Sequence, residues 1–227
     1  MTVLKNWQIM PKDLFAMGPI VPVLVINKVE DALPIAEALL AADVRVLEVT
    51  LRTPAALDVI STIAKELPEA IVGSGTVTNR QQLQQSLDAG AKFAISPGLT
   101  KDLLQAGNEG DIALIPGISS ISELMDASDF GYDHLKFFPA EASGGVNAIK
   151  SIGGPFPDIK FCPTGGINLN NVRDYLALPN VACCGGSWLV SSKIVENKDW
   201  GQITKLANEA LAHVKYLILK VLKKPVS

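Results

Sequence analysis

Eight times along the chain, a short apolar run gives way to a stretch whose apolar residues recur at helical spacing. This alternation limits the fold more than any other feature, because strands joined through helices pair in parallel. The strands are read at Ile20 to Ile26, Val44 to Thr50, Ala70 to Gly73, Lys92 to Ser96, Ile112 to Ile115, His134 to Phe138, Lys160 to Cys162 and Val181 to Cys184. The first is apolar throughout, as in a strand buried on both faces. Helices are read at Glu30 to Ala41, Pro54 to Leu67, Asn79 to Ala89, Thr100 to Asn108, Ser119 to Ala127, Val146 to Ile152 and Asn168 to Ala177. A last long helix follows from Trp200 to Leu219, and a short one at Gln8 to Met17 leads the chain.

Eight such units in 227 residues predict an α/β chain closed into a (β/α)8 TIM barrel with an extra N-terminal helix. No linker or low-complexity stretch interrupts them, so residues 1–227 are expected to form a single domain. An open doubly wound sheet ranks lower, because no GxGxxG follows the first strand.

A hydrophobic content of 48% allows a sizeable core, and a net charge of −3 leaves no basic footprint for nucleic acid. No secretory leader and no run of bilayer-spanning length is read, so a cytoplasmic protein without a membrane partner is expected. The three cysteines, Cys162, Cys183 and Cys184, fit no disulfide or zinc pattern and read as small strand hydrophobes in a reducing compartment. Two histidines are too few for a histidine-rich metal site. The Lys-Lys-Pro-Val-Ser end is expected to fray.

In a barrel of this kind the active site lies at the C-terminal ends of the strands. The sixth strand, His134-Leu135-Lys136-Phe137-Phe138-Pro139, carries a lysine inside an apolar run. Burying an ammonium is costly, and an apolar setting turns an amine into a nucleophile. For an isolated lysine in such a run, the solvent face of an edge strand is the simpler reading. The second strand holds Glu48 between Leu47 and Val49, where a buried carboxyl suits general acid–base work or a structural ion pair with a lysine or arginine. Glu48 and Lys136 could meet across the barrel. Arg52 stands at the exit of the second strand, where a bidentate clamp on a carboxylate would sit. Glycine pairs follow the seventh strand (Gly165, Gly166) and the eighth (Gly185, Gly186, then Ser187). Loops after these strands commonly bind phosphate, because free backbone N–H groups attract an anion.

Taken in order, Glu48-Val49-Thr50-Leu51-Arg52-Thr53, Gly73-Ser74-Gly75-Thr76-Val77, Ser96-Pro97-Gly98-Leu99, Ile115-Pro116-Gly117, Lys136-Phe137-Phe138-Pro139-Ala140-Glu141 and Phe161-Cys162-Pro163-Thr164-Gly165-Gly166-Ile167 resemble the bacterial 2-keto-3-deoxy-6-phosphogluconate (KDPG) aldolases, also called 4-hydroxy-2-oxoglutarate (KHG) aldolases. The resemblance runs from about Ile20 to Trp188, with Ser74 standing where alanine is expected. It implies a class I aldolase of the Entner–Doudoroff pathway, a homotrimer acting on a small 2-keto acid sugar phosphate. It implies Lys136 as the Schiff-base lysine and Glu48 as the acid–base carboxylate. By the same resemblance, Arg52 and Thr76 hold the substrate carboxylate, and Pro97, Phe138 and Thr164 line the pocket. Gly165, Gly166 and Ser187 take the phosphate. Lysine chemistry of this kind needs no metal or other cofactor. Oxaloacetate decarboxylation is an expected side activity, since loss of CO2 uses the same imine. The alternatives are a sugar-phosphate epimerase or isomerase on the same barrel, with Glu48 as base, and a non-catalytic sugar-phosphate-binding protein.

Overall fold

The computed structural model describes residues 6–222, with side chains through Lys215. In chain order the elements are α1 (Pro11–Ala16), β1 (Ile20–Leu24), a 3-10 turn (Val29–Asp31), α2 (Ala32–Leu40), β2 (Val46–Thr50), α3 (Ala56–Glu66), β3 (Ile71–Gly75), α4 (Arg80–Asp88), β4 (Phe93–Ile95), α5 (Lys101–Glu109), β5 (Ala113–Ile115) and β6 (Gly117–Ile118). Then come α6 (Ile121–Asp129), β7 (His134–Phe137), α7 (Gly145–Ile152), β8 (Lys160–Pro163), α8 (Val172–Leu176), β9 (Cys184–Gly186), α9 (Ser192–Glu196) and α10 (Trp200–Leu222).

The strands pair in parallel, as the helical crossovers require. One sheet has six strands in the order β5-β4-β3-β2-β1-β9, and the other has three, β6-β7-β8. Pro116 alone separates β5 from β6. Without an N–H it cannot donate to the ladder, but its carbonyl still accepts from the Lys136 N–H at 2.9 Å. On the other side, two isolated parallel bridges, Phe161 with Val181 and Thr164 with Gly185, tie β8 to the segment entering β9.

Three helices start where a short polar side chain takes an orphan N–H. Asn79 caps α4, Thr100 caps α5, and Ser120 with Glu123 forms a capping box on α6. At the N-terminal ends of the strands, α1 supplies buried Leu14 and Phe15. The Phe15 ring meets His134, the first residue of β7, edge-on at 5.4 Å. Trp7 Nε1 donates to the Gly107 carbonyl at 2.8 Å, which ties the leading segment to α5. The opposite, C-terminal ends of the strands carry the polar loops.

The eighth strand position departs from its expected place. It pairs as Cys184–Gly186 rather than Val181 to Cys184. Between the two bridges the β8 side advances from 161 to 164 while the β9 side advances from 181 to 185. One extra residue on the second side breaks the ladder as a bulge does, and regular pairing with β1 begins only at Cys184. The helix after β8 is also shorter than expected. Asn168 and Asn171 bond locally, the Asn168 N–H reaching Asn171 Oδ1 at 2.8 Å, and such bonds compete with the first helical turn. The short α9 was not anticipated, and the expected fraying of 223–227 lies outside the described residues.

Ser74 illustrates a local conflict. It pairs with Val49 and Ala94 in the sheet and is fully buried. Among the described residues its hydroxyl has no hydrogen-bond partner. A buried unpaired hydroxyl costs about 1–3 kcal/mol. Ser74→Ala is therefore expected to raise the thermal midpoint, by about 2–4 °C for each kcal/mol recovered in a chain of this size. A scanning calorimetry midpoint that stays put or falls would contradict this.

Candidate active site

Two ionisable side chains meet inside the fold. Glu48 lies in β2 between Val23 and Gly73, and Lys136 lies in β7 between Gly117 and Cys162. They come from different sheets, yet Lys136 Nζ donates to Glu48 Oε1 at 3.1 Å. Glu48 is 1% exposed and Lys136 5%. Neither charge could be held there alone, because an unpaired buried charge costs several kcal/mol. The Phe138 ring adds a second contact, its centroid 5.3 Å from Nζ. The edge-strand reading of Lys136 is excluded, since β7 is central in its sheet.

Room for the carboxylate comes from β3. A Cβ on Gly75 would lie 2.3 Å from Glu48 Oε1 and 2.8 Å from its Cγ. Only glycine leaves that space open. The three cysteines are buried free thiols. The hydrogen bond with Cys162, then burial, pushes the Cys183 thiol up, and burial does the same for Cys184.

The other expected residues stand just beyond the C-terminal ends of their strands. Arg52, past β2, is exposed and forms no ion pair among the described residues. Thr76, past β3, has φ 61°, a left-handed conformation that is a genuine outlier for a β-branched residue. Strain of this kind concentrates at functional sites. Pro97 and Phe138 are half-buried after β4 and β7, and Thr164 is buried after β8. Gly165 and Gly166 turn with φ 100° and 81°, which glycine adopts without cost. Ser187 is exposed after β9.

Gly185 and Gly186 do not form the expected loop. They lie inside β9, where the missing Cβ of Gly185 makes room for the Thr164 hydroxyl and that of Gly186 for the Trp188 ring. The turn after β9 is 187–189 instead. Among the described residues, the N–H groups of Gly166, Ile167, Ser187 and Trp188 find no protein acceptor.

Four residues given no role from sequence shape this end of the fold. The Gly166 carbonyl accepts from Asn168 Nδ2 at 3.2 Å and Asn171 Nδ2 at 3.0 Å. Glu141 accepts a short hydrogen bond from the Tyr175 hydroxyl. The asparagine-rich run after the glycine pair was the available signal for the first two. Nothing local marks Glu141 and Tyr175, which are 34 residues apart. Among the described residues, no three His, Cys, Asp or Glu side chains gather as a metal would need. No described helix is long and apolar enough to cross a membrane.

Parallel strands, crossover helices and a buried lysine–carboxylate pair define an α/β fold with a candidate active site at that pair. Residues 12–206 match the aldolase family described as KDPG and KHG aldolase, and the chain belongs to that family. It is 66% identical over 208 residues to a 2-dehydro-3-deoxy-phosphogluconate aldolase of Pseudoalteromonas atlantica, covering 92% of this chain and 97% of that one. It is 58% identical over 212 residues to the KHG/KDPG aldolase of Escherichia coli, covering 93% and 100%. A crystal structure of KDPG aldolase from Legionella pneumophila, with pyruvate captured as a covalent carbinolamine intermediate, superposes with a TM-score of 0.89. That alignment is 50% identical and covers 90% of this chain and all of the other. The epimerase and binding-protein alternatives find no support in these likenesses.

Gly75→Ala tests whether the carboxylate depends on the space beside it. The added methyl should push Glu48 off Lys136 while the protein stays folded by circular dichroism. A misplacement of about 1 Å can cost roughly 10²-fold in rate, and a loss of that order in aldol cleavage is expected. Turnover near wild type would show that Glu48 needs no such space.

Proposed function

We propose that the chain is a class I aldolase that cleaves KDPG to pyruvate and glyceraldehyde 3-phosphate through an imine on Lys136. The observation that carries this reading is the buried 3.1 Å contact between Lys136 Nζ and Glu48 Oε1. A nucleophilic amine needs a partner that takes its proton, and Glu48 is within reach of it. Transfer along that hydrogen bond leaves a neutral amine and a neutral carboxyl. The amine adds to the C2 carbonyl, and the carboxyl protonates the departing hydroxyl as the carbinolamine loses water.

The protonated imine then draws electrons from the C3–C4 bond. Glu48, a carboxylate again, removes the C4 hydroxyl proton, the bond breaks, and glyceraldehyde 3-phosphate leaves. The enamine that remains takes a proton at C3, and water releases pyruvate and the free amine. The carbinolamine named for the Legionella protein is the intermediate expected at the start and end of this cycle.

Arg52, a cation that forms no ion pair among the described residues, and the strained Thr76 are assigned to the substrate carboxylate. Pro97, Phe138 and Thr164 are assigned to the pocket wall. The phosphate is assigned to the turns at Gly165, Gly166 and Ser187, a reading supported by the N–H groups of Gly166, Ile167, Ser187 and Trp188, which find no acceptor among the described residues. The unphosphorylated KHG shares the 2-keto acid end, so it is a second substrate, as the Escherichia coli relative's name indicates for that protein. Oxaloacetate decarboxylation would use the same imine.

The two sheets are read as one closed (β/α)8 barrel forming a single domain, on the strength of the bridges at 161 and 164 and the continuity through Pro116. A homotrimer is proposed, supported by exposed Ile121 and Met125 on one face of α6. A cytoplasmic location is proposed from the three free thiols.

Glu48→Gln keeps the shape of the side chain and removes its ability to exchange protons. KDPG cleavage, followed by coupling pyruvate to lactate dehydrogenase, should fall by about 10²–10⁴-fold. A folded variant within a few-fold of wild type would take Glu48 out of the mechanism.

A further inference from the structure

The turn assigned to phosphate is held from two sides. On one, the Asn168 and Asn171 amides fix the Gly166 carbonyl. The peptide is planar and trans, so the Ile167 N–H in the same unit points away from those asparagines. On the other side stands Glu141. The Ala140 N–H donates to the Thr164 carbonyl at 2.8 Å and the Glu141 N–H to the Gly165 carbonyl at 3.1 Å, which ties the loop after β7 to the turn itself.

The Glu141 side chain then crosses the turn. A Cβ on Gly166 would lie 2.4 Å from Glu141 Cγ, so the stem of the glutamate fills the notch the glycine leaves. Its Oε1 accepts from the hydroxyl of Tyr175, a fully buried ring in α8. The same oxygen lies beside Gly145, where an added Cβ would be 3.3 Å away, at the first residue of α7. A helix start favours a negative charge. Burial, and after it the bond to Glu141, pushes the Tyr175 phenol up, so it stays a donor across the working pH range.

From this geometry we infer that Glu141 is a positioning residue, anchored by Tyr175, that sets the shape of the Gly165-Gly166 turn and with it the preference for phosphorylated substrate. The inference rests on the phosphate assignment made above. Glu141 reaches the reaction only through that turn, so its loss should matter to a substrate that places a phosphate there and not to one that lacks it.

Steady-state kinetics of the full chain on KDPG and on KHG test this, with melting temperatures measured alongside. Glu141→Ala should raise KM for KDPG by about tenfold, the scale of one hydrogen bond to a charged group. Its kcat/KM for KHG and its borohydride trapping by pyruvate should not change. Glu141→Gln, which keeps the stem and an acceptor for Tyr175, should restore most of the KDPG affinity. Tyr175→Phe removes one oxygen only and should show the same selective loss, so it carries the test if Glu141→Ala folds poorly. Equal effects on both substrates, or none on either, in a folded Tyr175→Phe would overturn the proposal. Ser187→Ala, which touches the phosphate assignment directly, separates the two failures. If Ser187→Ala is selective and the Glu141 and Tyr175 variants are not, the anchoring role is wrong and the phosphate assignment stands. If Ser187→Ala is unselective too, the phosphate assignment fails and takes this inference with it.

Discussion

The hydrogen bond between Lys136 and Glu48 is the constraint around which the fold is built. Both groups are almost wholly removed from water, so each is tolerable only because the other is 3.1 Å away. Removing one partner of such a pair typically costs about 3–5 kcal/mol, because the other charge is left uncompensated. Meeting that condition takes two strands from different sheets, a glycine on β3 where any other residue would collide, and an aromatic face beside the ammonium. Buried pairs of this kind can often be replaced by well-packed apolar side chains with no loss of stability. Its presence is therefore better explained by chemistry than by folding.

Around the pair, rigidity and openness are divided between the two ends of the strands. The N-terminal ends are closed by α1 and the Trp7 segment, which bury apolar surface and carry no candidate site residue. The C-terminal ends hold a strained threonine, left-handed glycines and an arginine that forms no ion pair among the described residues. The strained threonine costs stability locally and persists because the sheet on either side determines it. The glycine turn after β8 shows how far this goes. Its peptide orientation is fixed by two asparagines from one side and by Glu141 with Tyr175 from the other.

Much of this could be read from the chain. The parallel α/β order follows from the alternation of patterns, and the helix starts at Asn79 and Thr100 follow from capping chemistry. Lys136 and Glu48 stood out because a charge in an apolar strand demands a partner. What stayed hidden was set by tertiary geometry. The bulge between Phe161 and Gly185 moved the last strand by up to three residues, and a single extra residue in one strand leaves no trace in a hydrophobic pattern. Gly185 and Gly186 looked like a turn, yet they are strand residues that admit neighbouring side chains. Glu141 and Tyr175 meet across 34 residues, one in the loop between β7 and α7 and the other in α8, and no local pattern links them.

The central claim is that Lys136 is the nucleophile. Incubating the protein with pyruvate, reducing with borohydride, and following intact mass and then peptide mapping tests it most directly. One reduced pyruvate adduct per chain, on the peptide that contains Lys136 and absent from Lys136→Arg, is the predicted result. An adduct that maps to another lysine, or that persists in Lys136→Arg, would contradict the account.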